Sequence, residues 1–291
     1  MSKSYIFVAV LLNGVSFAML LFLLAAGLEL MFGVMNIINL AHGSFYMIGA
    51  YIGMYLVQVT GNFIVGILAG MAVGGLIGLI TDRIFFSRIS DHLQQVILTF
   101  GIVYIIADFC KFIWGGNPMG IPVPALLAGS VHVGGIVFPV YRSIVMLLGF
   151  LIAIALWFFQ EKTLMGAIIR AGVDDKEMVS GFGINIKLIN TSVFCFGGLL
   201  AGFAGVIGSP ILFVYPKMSW EIFVLSLMVV VVGGMGSLRG AFVGSVIIGL
   251  TDSIGKFVIP SAATVITFSV MVIFLIVKPL GLFGSAKLVR S

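Results

Sequence analysis

Long apolar runs follow one another along this chain with little between them. Each is close to the roughly 20 residues a helix needs to cross the hydrocarbon core of a bilayer. The runs fall at about 6–30, 36–58, 62–82, 94–115, 143–160, 188–213, 219–236, 240–258 and 262–279. A helix satisfies its backbone donors and acceptors within the segment, which a lipid-buried chain requires. The expected fold is therefore all-α, a polytopic transmembrane helical bundle of eight or nine spans. Two runs, 143–160 and 219–236, are short, and one of the nine is open to being a re-entrant or half-crossing element. Residues 1–291 read as a single transmembrane domain.

Composition excludes a water-soluble alternative. Hydrophobic residues make up 61% of the chain and charged residues 9%, with a mean hydropathy of +1.28. A soluble domain carries about 25% charged residues, so lipid must cover much of this surface. The net charge of +5 does not indicate nucleic acid, because the basic residues are scattered between apolar runs rather than clustered. Cys110 and Cys195 are far apart in apolar stretches, with neither a disulfide framework nor a zinc spacing around them. The run after Lys3 is too long for a secretion-signal core and lacks a small-residue cleavage site, so it reads as a retained span.

Basic residues orient the bundle. Threading the chain with 83–93 and 161–187 on one side places ten of the 15 Lys and Arg residues there. By the positive-inside rule that side is cytoplasmic. The loop 116–141 then lies outside, and Trp114, Tyr141, Tyr215 and Trp220 suit an aromatic belt at the outer interface. Within the outer loop, Val131 to Phe138 reads as a small hairpin turning on Gly134-Gly135. The inner loop 161–187 is the most charged part of the chain, with four basic and four acidic residues.

Gly66, Gly70, Gly74 and Gly78 recur at every fourth residue, so they line one helix face and allow another backbone to approach closely. Gly49/Gly53, Gly198/Gly202 and Gly240/Gly244 repeat the spacing. Tight packing is the favoured reading over a sliding helix.

No catalytic constellation is present in the sequence. The nearest approach to a phosphate loop, Gly249 to Lys256, has one residue too many between its glycines and Phe257 where Ser or Thr is required. Asp108 with Lys111, and Asp252 with Lys256, read as self-neutralising helical pairs.

The segment Glu29 to Tyr51, ELMFGVMNIINLAHGSFYMIGAY, is the most informative. Asn36 and Asn39 share a helical face, and His42-Gly43-Ser44 can break the helix. Non-helical backbone at membrane depth is tolerated only where it lines a cavity or is buried in protein. Glu29, a lone acid, would cost about 2.5–3.5 kcal/mol against lipid and is expected to face the bundle interior or the inner boundary. Glu29, Asn36, Asn39, His42 and Ser44 are accordingly candidates for a translocation path. Their alternative role, capping helix ends and cross-linking neighbours, is equally compatible with the spacing.

GLELMFGVMNIINLAHGSFYMIGAY closely resembles the signature of the branched-chain amino acid ABC transporter permeases, in the class of the shorter permease subunit. The resemblance continues through GNPMGIPVP at 116–124, RAGVDDKEMVSGFGINI at 170–186, GGMGSLRGAFVGSVIIGL at 233–250 and KPLGLFG at 278–284. These blocks stand in order over nearly the whole chain. Ser44, Asn36 and Glu29 depart from the residues usual at those places in the family, which leaves the solute open rather than the architecture.

The resemblance implies an ABC importer permease in the bacterial inner membrane, without an ATPase motif, cofactor or metal of its own. It would work by alternating access with a second permease subunit, two ATP-binding subunits and an extracytoplasmic solute-binding protein. It also implies that the inner loop presents a short coupling helix to an ATPase. Asp174-Asp175-Lys176-Glu177 has capping-box form, with Asp174 as N-cap and Glu177 three residues on, and Gly181 is placed to end the helix. Alternatives are a permease for an amide, urea, sugar or nucleoside, or an ion-coupled secondary carrier drafting Glu29, Asp108 and Asp252.

Overall fold

The computed structural model describes residues 3–35, 38–89, 91–133, 136–174 and 176–284. At the centre of the bundle is α1 (Lys3–Met35), whose 33 residues extend ~50 Å at 1.5 Å per residue. Every residue from Ala18 to Met35 is buried, which follows from an apolar sequence with no polar face: such a helix is stable only when surrounded. Packed along it are α8 (Ile186–Gly208) and α10 (Leu238–Val258), with α5 (Val140–Lys162) and α9 (Met218–Gly233) at its flanks. A second layer forms where α2 (His42–Thr60) and α3 (Phe63–Ile80) meet α8. At the periphery lie α4 (His92–Trp114) against α2, and α11 (Ala263–Val277) against α9 and α10.

Each of the nine apolar runs holds a helix. Among the described residues, seven segments are long and apolar enough to cross a membrane: Tyr5–Met35, Phe63–Arg88, His92–Trp114, Val140–Lys162, Ile186–Gly208, Leu238–Val258 and Pro260–Val277. The run at 219–236 is short as expected, with α9 spanning 16 residues. The run at 143–160 is not short: α5 has 23 residues. It begins before Arg142, a cation the helix tolerates because its Nη1 donates to Asn13 Oδ1 of α1 at 2.5 Å.

The glycine stripes are close helix contacts. A Cβ on Gly74 would strike the Gly198 carbonyl, one on Gly70 would lie 2.9 Å from the Gly49 carbonyl oxygen, and one on Gly66 would lie 2.8 Å from that of Gly53. The backbones of α2, α3 and α8 therefore touch directly. Gly240 and Gly244 abut the Gly233 region of α9 in the same way. Tight packing accounts for the four-glycine stripe and the three glycine pairs.

At the end of the bundle where α4 finishes and α5 begins, β1 (Ser130–Val133) pairs antiparallel with β2 (Ile136–Pro139), Val131 opposite Phe138. This is the hairpin read from the sequence, and its Gly134-Gly135 turn lies outside the described residues. Met119 and Val214 exchange backbone hydrogen bonds of 2.9 and 2.7 Å, which fastens the loop to the α8–α9 connection. In that connection Tyr215 donates to the Glu221 carboxylate. Burial, then that bond and the carboxylate charge, push its phenol up to about 12, so the donor survives any physiological pH.

At the other end, Arg239 on the first turn of α10 pairs with Glu161 on the last turn of α5 at 2.8 Å. Near the opposite terminus of α10, Lys256 pairs with Asp252 at 2.6 Å, as the helical spacing suggested.

Candidate functional site

The polar interruption between the first two runs is a break in the helical backbone, placed slightly upstream of where the sequence suggested. Helix α1 ends at Met35, residues 38–40 are non-helical, and His42-Gly43-Ser44 forms the first turn of α2 rather than the break. The His42 ring nitrogen Nε2 lies 2.9 Å from the Leu24 carbonyl oxygen. Leu24 stands about three turns before α1 ends, ~16 Å at 1.5 Å per residue. Helix α2 thus begins beside α1, at mid-depth of the bundle. Such a start is possible only inside protein, because its free N–H groups need partners.

Those partners are present. Ser44 and Phe45 N–H donate to the Ala41 carbonyl at 2.9 and 3.1 Å. Asn39 Oδ1 accepts from Ala41 N–H at 3.0 Å, and Thr99 Oγ1 of α4 accepts from Leu40 N–H at 3.3 Å. The turn is held by short backbone approaches: a Cβ on Gly27 would lie 3.0 Å from His42 Cε1 and 2.8 Å from the Gly197 carbonyl oxygen, and one on Gly43 would strike the Ser219 carbonyl. Four helices, α1, α2, α8 and α9, converge on His42 and Gly43.

Of the sequence-derived path residues, Glu29, Asn39, His42 and Ser44 are all buried, none more than 2% exposed. Asn36 lies outside the described residues. Asn39, His42 and Ser44 belong to the turn that opens α2, whereas Glu29 faces the start of α10, and none of the four binds another. Glu29 accepts from Ser237 N–H at the start of α10, Asn39 Nδ2 reaches Met31 Sδ at 3.7 Å, and His42 holds Leu24. In this conformation three of them satisfy groups on neighbouring elements. His42 Nδ1, Ser44 Oγ and Glu29 Oε2 are buried without a hydrogen-bond partner among the described residues. Unmatched polar atoms at the centre of a bundle cost stability.

The segment expected to form a coupling helix differs in detail from expectation. Asp174 is the last residue of α6 (Leu164–Asp174) and not the N-cap of the following helix. The amphipathic pattern starting at Leu164 carries the first helix further than the charged cluster suggested. The next helix, α7 (Lys176–Gly181), is one and a half turns long. Gly181 is its last residue, and Gly183, at φ 77°, supplies the left-handed turn after it. Asp175 and the side chains of Asp174, Lys176 and Glu177 lie outside the described residues. Met178 and Phe182 project from this corner, 62% and 79% exposed.

Sequence reading missed Thr99, noted above, and Asp82. Asp82, at the end of the third run, is buried and accepts from Thr191 Oγ1 of α8 at 2.5 Å. A lone acid closing an apolar run was the available signal.

A single family description, "Branched-chain amino acid transport system / permease component", matches residues 10–277. The chain belongs to this family. Its relatives include the high-affinity branched-chain amino acid transport system permease protein LivH of Escherichia coli K12, 25% identical over 98% of both chains. Another is BraD of Pseudomonas aeruginosa, a permease protein of the same description, 26% identical over 98% of both chains. Among solved structures, one chain of PsaBC from Streptococcus pneumoniae in complex with Fab shares the fold, with a TM-score of 0.53 at 14% identity, covering 92% of this chain and 91% of that one. The protein is thus a multi-pass membrane permease of the ABC transport class, and the match runs through the break between α1 and α2.

Within this permease the junction makes a specific prediction. Ser44→Ala removes a hydroxyl that has no partner among the described residues, so thermal stability should change by less than about 1 kcal/mol. If Ser44 serves only the fold, transport should be equally untouched; a rise in the KM for uptake with stability unchanged is the outcome expected of a path residue.

Proposed function

We propose that this chain is a membrane-spanning subunit of an ATP-driven importer for branched-chain or related small amino acids in the bacterial inner membrane. The observation that carries this reading is the end-to-end match to LivH and BraD, over 98% of each chain. The buried polar junction supports it, since it provides donors and acceptors for a zwitterion at mid-depth in an otherwise apolar bundle.

In this scheme the chain pairs with a second permease subunit and receives solute from an extracytoplasmic binding protein. The loop 116–141 faces outward. Two ATP-binding subunits supply the energy, and one of them engages α6 and α7 in the cytoplasmic loop 161–187. Alternating access follows if the ATPases move that corner: α6 packs on α1 and α5, so its displacement is passed directly to the helix that precedes the break. A permease that binds its solute equally in both states would gain nothing from the motion, and the unpartnered atoms at the junction are what would distinguish them.

The test is uptake of labelled L-leucine into vesicles holding the assembled complex. Uptake should require ATP and the binding protein. Phe182→Glu should lower it at least ten-fold while leaving membrane insertion intact, because it places a charge on the exposed apolar corner a partner would bury. Uptake by the isolated chain under an ion gradient alone would instead establish a secondary carrier, and ATP-dependent uptake of a sugar, nucleoside, amide or urea in preference to leucine would reassign the solute.

A further inference from the structure

A polar cleft of about 340 Å³ opens at the end of the bundle where α3 finishes and α8 begins. This volume is within the range of small-molecule sites. Its walls come from three places: the last residue of α1, Met35; the segment after α3, where Thr81–Phe85 forms a π-helical turn and Phe86–Arg88 a 3₁₀ turn; and the first turns of α8. A π turn inside a helical span is uncommon and marks functional sites. Here it brings Asp82 round to face Thr191.

The chemistry of the cleft is divided. Its inner wall holds acceptors: Asp82, 5% exposed and fixed through Oδ2 by the Thr191 hydroxyl, and Asn190, whose Oδ1 is buried without a hydrogen-bond partner among the described residues. Its rim holds cations, Arg83 and Lys187, both exposed. The amino-terminal end of α8, whose positive end favours anions, contributes to the same wall. Phe86 and Leu188 add apolar side chains to the same lining. An ammonium group has three donors and no acceptor, and a carboxylate is acceptor only. A ligand with an ammonium, a carboxylate and an apolar side chain on one centre satisfies all three surfaces at once.

We propose that this cleft is a binding site for an apolar α-amino acid, its ammonium held by Asp82 and Asn190 and its carboxylate by Arg83 and Lys187. The proposal rests on the amino-acid importer reading and deepens it. The cleft stands beside the end of α1, on the side of the break away from the hairpin, and so is the last stop of a solute released past the junction.

The experiment is calorimetric titration of the purified full-length chain, without its partners, against L-leucine, L-leucinamide, 4-methylpentanoate and inorganic phosphate. L-Leucine should bind, and the two analogues, each lacking one charged group, should bind at least about ten-fold more weakly. Lys187→Gln, which alters an exposed side chain and leaves the packing intact, should weaken leucine binding several-fold, and Asp82→Asn by about ten-fold or more. Absence of leucine binding, equal binding of leucinamide and 4-methylpentanoate, or displacement of leucine by phosphate would each overturn the site, as would an unchanged affinity in Lys187→Gln. The two readings fail separately. A complex that imports leucine while its isolated permease binds none loses only this site; a permease that binds leucine in a complex that does not import it loses only the importer reading.

Discussion

Replacing Gly202 with alanine should remove about 3 kcal/mol or more of stability, and replacing it with valine should leave almost no folded protein in detergent extracts. Gly202 sits where α2, α3 and α8 meet. An added Cβ would strike the Gly70 carbonyl and lie 3.3 Å from Met71 Cα, while a Cβ on Gly49 of α2 would come 2.6 Å from Gly202 Cα. All these obstacles are backbone. A flexible side chain can swing aside, but a helix axis moves only with its neighbours, so the strain spreads across three spans. In lipid the attraction between helices comes chiefly from close packing and not from expelling water, so little else offsets the lost contact. Gly101→Ala in α4 is the control: a Cβ there meets nothing within 4 Å, and the exchange should stabilise by up to about 1 kcal/mol through helix propensity. Size-exclusion profiles and melting curves of the three variants decide it. A Gly202→Ala protein as stable as the parent would show that these helices are not in contact as described.

This contrast shows what the chain discloses before folding. The four-residue glycine period identifies a face, and several such faces imply that they pack together, but the period cannot say that Gly74 meets Gly198 or Gly70 meets Gly202. Those pairs join segments more than a hundred residues apart. The helices themselves were legible because each needs only a local property, an uninterrupted apolar stretch. The break near α2 was legible as polar residues in the wrong place, yet its position moved from His42–Ser44 to residues 38–40. The reason is tertiary: His42 finds its partner on Leu24, and Thr99 of α4 receives Leu40 N–H, so the helix starts where its partners are. Asp174 shows the opposite failure. The capping-box pattern there is real as sequence, but the amphipathic stretch from Leu164 outweighs it and carries α6 through the proposed cap. Asp82 was passed over because its partner, Thr191, becomes its neighbour only when α3 and α8 run antiparallel.

Glu29 separates an architectural role from a path role most sharply. Its side chain, from the last two turns of the central helix, accepts from Ser237 N–H. Ser237 caps α10, its own hydroxyl accepting from Gly240 N–H at 3.1 Å. The link before it turns on Gly234 and Gly236, at φ 101° and 86°, conformations that exclude most side chains. From the other side the carboxy-terminal stretch closes on the same corner, with Leu282 and Phe283 N–H donating to the Val232 and Gly233 carbonyls at 3.0 and 2.9 Å. Glu29 therefore ties α1 to a corner otherwise held by backbone bonds and the Arg239–Glu161 pair. Glu29→Ala leaves a buried N–H unmatched, at about 1–3 kcal/mol, and frees α10 from the helix that leads into the break. ATP-driven uptake should fall at least ten-fold with a lowered melting temperature. Glu29→Gln keeps an acceptor oxygen of the same reach and should recover both stability and most of the uptake. If Gln restores stability but uptake stays lost, the acid itself serves the solute or the conformational cycle, and the tie to α10 is only part of its role.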